Sequence, residues 1–127
     1  MGLLNRETLL KKEMLEIRKV DLGKGDFVYV RQMTGRERDQ FEQSLVNMKQ
    51  KKVGRRTEID VEQNLSDFRA KLSVCTVCDV EGNLLLTMDD YETLSTHMSA
   101  ARLEAIVNVA QELNSISEED KEELVKN

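Results

Sequence analysis

The stretch from Asp26 to Met48, DFVYVRQMTGRERDQFEQSLVNM, constrains the fold more than any other part of the chain. Phe27, Val28, Tyr29 and Val30 are β-branched or aromatic. Such residues suit a pleated, half-buried surface and predict a strand. Thr34 and Glu37 follow at the spacing of a capping box, in which the hydroxyl accepts from an amide of the first helical turn and the carboxylate reaches back to the cap amide. Phe41, Leu45 and Met48 then recur on one helical face. A strand that runs through a sharp cap into an amphipathic helix requires a mixed fold, and it contains no constellation that resembles a reaction site.

The length of 127 residues predicts one domain over residues 1–127. A chain of this size buries about two-thirds of the surface exposed by its unfolded form, enough for a core without staples. Hydrophobic residues make up 39% and charged residues 34%, with three Phe, two Tyr and no Trp, so the core is expected to be aliphatic. No apolar run approaches the roughly 20 residues of a membrane span. The N-terminal MGLLNRETLL lacks the long apolar segment of a signal peptide. Two cysteines are too few for a disulfide framework and point to a reduced, intracellular setting. A net charge of -5 argues against nucleic acid as the main ligand.

In chain order, Asn5 is placed to cap a short helix through Leu9 and Leu10, with Lys11 and Lys12 in its last turn. Leu15–Leu22 and Phe27–Gln32 read as a hairpin across Gly23-Lys24-Gly25-Asp26. The helix after Thr34 extends to about Lys49 and meets a basic loop, Lys49–Arg56. Asp60 is expected to open the central core helix, whose stripe is Val61, Leu65, Phe68, Leu72 and Cys75. Val77–Val80 and Leu84–Leu86, around Glu81-Gly82-Asn83, read as a second short hairpin. Thr87 with Asp90 starts a short helix, and Ser95 or Thr96 starts the next, with a stripe of Leu103, Ile106, Val107, Ala110 and Leu113. Asn114 ends that helix in the left-handed position, and Ser117 with Asp120 caps a charged, fraying last helix. The fold class is α+β, mainly helical, with an N-terminal β-hairpin and a second short hairpin.

Each chemical motif meets a structural explanation. Cys75-Thr76-Val77-Cys78 has redox-site spacing, but it falls at a helix C-terminus, where the dipole disfavours a thiolate. Two cysteines and one histidine do not fill a tetrahedral zinc site. The cysteines therefore read as small buried hydrophobes; replacing Cys75 and Cys78 by Ala or Val is expected to leave function intact, and the purified protein is expected to carry no stoichiometric zinc. His97 has no nucleophile or carboxylate set around it and reads as a surface residue near a helix start. Asp89-Asp90 and Glu118-Glu119-Asp120 sit at helix N-termini, where capping accounts for them. Gly23-Lys24-Gly25 lacks phosphate-loop spacing. The Lys49–Arg56 cations lack aromatic partners for bases, so a solvated loop or a contact for an acidic partner fits better than nucleic acid. No catalytic, metal-binding or cofactor-binding residue is assigned.

Three stretches carry a resemblance: KVDLGKGDFVYVRQMTGRERDQFEQSL, FRAKLSVCTVCDVEGNLLLTMDDYETL and LEAIVNVAQELNSISEEDKEELVKN. Together they resemble the tail assembly chaperones of long-tailed phages and of prophages in Gram-positive bacteria. The resemblance runs from about Leu15 to Asn127 and covers Lys49–Arg56 least. It implies a non-enzymatic protein that holds the tape measure protein soluble while the tail tube assembles. Such a protein acts in the bacterial host cytoplasm and is absent from the mature virion. The tail tube protein and further copies of the chain are additional candidate partners; a minor structural tail protein of the virion is the alternative. The resemblance also implies a longer form made by a −1 ribosomal shift. Residues 1–127 would then be the short form, if Lys126-Asn127 is encoded on a slippery run.

A chaperone for a long amphipathic helix needs apolar contact surface on a charged body. Leu9 and Leu10 lie outside the strong stripes, although closing one end of the core would also explain them. Leu84, Leu85 and Leu86 run consecutively in a two-faced element, so at least one points away from the core. Arg55 and Arg56 can meet acidic residues of a helical partner. The candidate partner-binding residues are therefore Leu9, Leu10, Arg55, Arg56 and Leu85.

Overall fold

A computed structural model describes residues 2–51 and 58–126; within helices, side chains are described up to Val46 and again from Asn64 to Val125. The described chain runs α1 (Arg6–Leu10), β1 (Ile17–Gly23), β2 (Asp26–Arg31), α2 (Gly35–Lys51), α3 (Glu58–Thr76), β3 (Val77–Cys78), a 3-10 turn (Met88–Asp90), α4 (Tyr91–His97), α5 (Ala100–Leu113) and α6 (Glu118–Lys126). It is a mainly helical α+β fold around one small antiparallel sheet of order β1-β2-β3. No helix among the described residues is long and apolar enough to cross a membrane.

The expected first hairpin forms, with Val20 opposite Val28 and Arg18 opposite Val30. Its tip holds Gly23, Lys24 and Gly25 all at positive φ, so Lys24 shares the left-handed backbone that the glycines make accessible. Val20 and Val30 point into the core. The capping box closes as read. The Thr34 amide donates to Glu37 Oε1 at 2.9 Å, and the Glu37 amide donates to Thr34 Oγ1 at 3.2 Å. Phe41 and Leu45 of α2 are buried, and Phe41 meets Phe68 of α3 edge to face with ring centroids 5.7 Å apart.

α3 is the central helix, and it is wrapped more completely than its stripe implies. Phe68 and Leu72 are fully buried, but so are Ala70, Ser73 and Thr76 on other faces. α2, α4, α5 and α6 all pack on it. Its buried hydroxyls are satisfied within the helix: Thr76 Oγ1 donates to the Leu72 carbonyl at 2.7 Å and Ser73 Oγ to the Arg69 carbonyl at 2.8 Å. Lys71, also buried, donates to the Ser44 carbonyl at 3.0 Å and lies over the Tyr91 ring. α5 buries Leu103, Ile106, Val107, Ala110 and Leu113, the whole expected stripe.

Several boundaries differ from the sequence reading. α1 ends at Leu10, so Lys11 is its C-cap rather than part of its last turn. α3 starts at Glu58, which puts Asp60 inside the first turn. The side chains of Met48, Lys49, Lys51, Asp60, Val61 and Gln63, and the rest of the basic segment through Arg56, lie outside the described residues. The second hairpin is reduced to β3, which joins the first sheet, and a single Cys78–Leu84 bridge. Its turn is tightened by Asp79, whose Oδ1 accepts from the amides of Glu81 and Asn83, both at 2.9 Å. Ser95 and Thr96 lie inside α4; Thr96 Oγ1 donates back to the Glu92 carbonyl, and Ser99 caps α5 instead. Asn114 is not left-handed; Ser115 takes the positive φ of 54°. Asn114 instead spends its side chain on tertiary contact. Its Oδ1 accepts from the Met33 amide at 2.7 Å, while Arg38 Nη1 donates to its carbonyl at 2.9 Å. The charged α6 seats Val125 in the core.

Phe68→Ala is expected to cost ~3–5 kcal/mol, because it removes a fully buried ring from the contact of α2 with α3. Urea unfolding checks this; an unchanged midpoint would show that the ring is not part of the core.

Candidate partner-binding surface

The candidate surface starts where β2 turns into α2. Arg31 is almost fully buried and reaches Glu37 through two parallel bonds, Nη1 to Oε1 at 2.9 Å and Nη2 to Oε2 at 2.8 Å. The Arg31 guanidinium, its hydrogen bonds first, holds the Glu37 carboxyl below its ordinary range. The 79–83 turn folds over this pair. Gly82 has φ of 91°, which strains any other residue, and an added Cβ would stand 3.2 Å from Ile17 Cδ1, which would have to shift by a few tenths of an ångström.

This turn and the residues before β1 face each other. Between Lys12–Leu15 and Val80–Leu84 lies a groove of about 930 Å³, with Ile17, Arg31 and Glu37 at its floor and sides. Ahead of it the chain carries α1. Asn5 caps that helix, its Oδ1 accepting from the Thr8 amide at 3.0 Å, yet no residue of α1 is buried. Leu9 is 65% and Leu10 68% exposed, so neither closes an end of the core. Leu85 is 59% exposed and points away from the core, whereas Leu84 and Leu86 are half-buried. Arg55 and Arg56 lie outside the described residues.

The sequence reading missed other exposed apolar groups of this surface: Leu3, Leu4, Met14 and Val80. Val80 had been placed in a strand, and only the Asp79-centred turn turns it outward. Phe27 is also about half exposed, beside Tyr29 and under the Lys19 ammonium. The groove joins the root of the α1 segment to the turn that leads to Leu85.

The chemical motifs have no place on this surface. Cys75 lies in the last turn of α3, and burial pushes its thiol up to about 11; burial raises Cys78 as well. His97 is exposed at the C-terminal end of α4, not at a helix start. It borders a second depression of about 600 Å³ floored by Leu86, Leu94 and Met98. Arg102 at that rim is held by Asp26 at 2.8 Å. Among the described residues no group of three or more His, Cys, Asp or Glu side chains is placed to hold a metal ion.

Glu37→Gln is expected to cost ~2–4 kcal/mol at neutral pH, since it leaves the buried Arg31 without its counter-charge. The depressed Glu37 pKa means that this contribution is present above the unfolded carboxylate pKa and is lost as pH falls through the folded one. Urea midpoints of the two proteins should therefore converge in acid; a constant gap would assign the effect to packing. The raised Cys75 pKa has the opposite sign. Its contribution is present below 9.0 and lost as pH rises towards about 11. At pH near 8, a thiol reagent should label Cys78, which is buried where Cys75 is only partly so, no faster than the protein opens; immediate labelling of Cys78 in a Cys75→Ala chain would contradict its burial.

Compared with protein-family models, with curated proteins and with solved structures, the chain matches none.

Proposed function

We propose that this protein is a non-enzymatic phage tail assembly chaperone that binds the tape measure protein of its own phage and keeps it soluble during tail morphogenesis. On this reading it acts in the cytoplasm of the bacterial host and leaves before the particle is complete. The observation that carries the reading is the exposure of Leu9, Leu10 and Leu85, the three described residues singled out as client contacts, on a chain with net charge -5. Exposed leucines held on a charged body suit a long amphipathic helix. They offer apolar contact, while the surrounding charge keeps the complex in solution and steers the encounter. The resemblance of the strand-to-cap segment and of the Asp79–Asn83 turn to tail assembly chaperones supports the same reading.

Co-expression tests it. The tape measure protein is expected to be insoluble alone and soluble with this chain. Leu9→Glu or Leu85→Glu should abolish the rescue without moving the melting temperature of the chaperone monomer, because neither side chain is buried in it. Failure of the unaltered protein to rescue, together with its presence in purified particles, would favour a minor structural tail protein instead. Rescue that survives both substitutions would place the client surface elsewhere.

A further inference from the structure

The segment from Gly2 to Met14 is an arm whose apolar residues the fold leaves without a partner among the described residues. Leu3, Leu4, Leu9, Leu10 and Met14 are all exposed on it. A helix of five residues does not hold itself together in water; it needs tertiary contact to offset the cost of nucleation. Asn5 nonetheless caps it properly. The arm is thus shaped for a surface that its own copy does not supply.

A fitting surface lies at the root of the arm. The groove between Lys12–Leu15 and Val80–Leu84 is walled by Met14, Ile17, Val80 and Leu84. Its charged groups outside the Arg31–Glu37 pair are Glu13 and Glu81, against Lys12. Charge matches arm to body. Residues 2–12 carry Arg6, Lys11 and Lys12 against Glu7, a sum of +2, so the rest of a chain of -5 carries -7. An arm is therefore drawn to a body, not to another arm.

The same copy is a poor occupant of the groove. Lys12–Leu15 already form one wall, so Leu9 and Leu10 could enter only if the chain reversed sharply beside that wall. Lys11–Glu16 contain neither Gly nor Pro to make such a turn. The stretch is instead extended at Lys11, with φ −69° and ψ 146°, and fixed at Glu16, whose amide donates to Gln32 Oε1 at 2.9 Å.

We propose that two copies exchange arms, Leu9 and Leu10 of each occupying the groove at the root of the other's arm. Because groove and root are adjacent, one two-fold axis beside the root places both arms at once and closes the assembly as an isologous dimer. The exchange does not depend on the client proposed above. If both hold, a second copy and the client compete for Leu9 and Leu10, and the exchanged dimer is the client-free form.

Sedimentation equilibrium of the full chain across the micromolar range tests this. The unaltered protein should be a dimer. Leu9→Glu with Leu10→Glu on the arm should raise the dimer dissociation constant at least ~100-fold while the melting temperature of the monomer is retained. Val80→Glu in the groove should do the same from the other side. Disulfide trapping is independent of how Val80→Glu folds. With Cys75 and Cys78 replaced by Ala, a chain carrying Leu10→Cys and a differently tagged chain carrying Val80→Cys should cross-link on mixing. A monomer at every concentration would overturn the proposal. So would a dimer indifferent to the arm substitutions, or a Leu10→Cys, Val80→Cys chain that bridges only within itself.

Discussion

The Glu37 carboxylate is the constraint on which the arrangement of the N-terminal half depends. It accepts from the Thr34 amide and from both ends of the Arg31 guanidinium. Three decisions follow from that one group: where β2 stops, where α2 starts, and at what angle they meet. Desolvating Arg31 at the end of the central strand is unfavourable in isolation, and the bidentate contact offsets it. The neutralised pair then provides a floor over which the 79–83 turn can close. The candidate groove is lined by this pair and by the turn together.

α3 answers a different demand. A helix that touches four other helices cannot keep a polar face, yet this one retains Ser73, Thr76 and Lys71 at buried positions. Each resolves its polarity locally or across one contact. The hydroxyls turn back onto carbonyls four residues earlier, and the ammonium finds the Ser44 carbonyl and the face of Tyr91. The buried amine therefore ties α2 and α4 to α3.

What was legible in the sequence follows from range. The capping boxes at Thr34 and Ser117 are decided within three residues, and both form as read. The hairpin tip and the α5 stripe are equally local. Ser95 and Thr96 misled because a hydroxyl within a helix can satisfy itself backwards as readily as it can cap. The second hairpin is shorter than read because the chain already turns at Asp79, whose carboxylate accepts from the amides of Glu81 and Asn83. The all-round burial of α3 and the role of Asn114 depend on partners far along the chain, and no periodicity encodes those. The candidate surface divides the same way. Leu9, Leu10 and Leu85 could be found by their failure to fit a stripe, whereas Val80 emerged only once the turn had taken shape.

The bond from the Met33 amide to Asn114 Oδ1 joins residues 81 positions apart. During synthesis the arm, the hairpin and α2 emerge long before Asn114 does, and loop closure over that span comes late. For that interval the nascent chain presents Leu9, Leu10, Val20 and Phe41 together, on a hairpin and helix that have nothing to dock against. The Met33–Asn114 bond therefore closes the fold only after most of the chain has been made, and it sets the earliest point at which the first half can dock on α5.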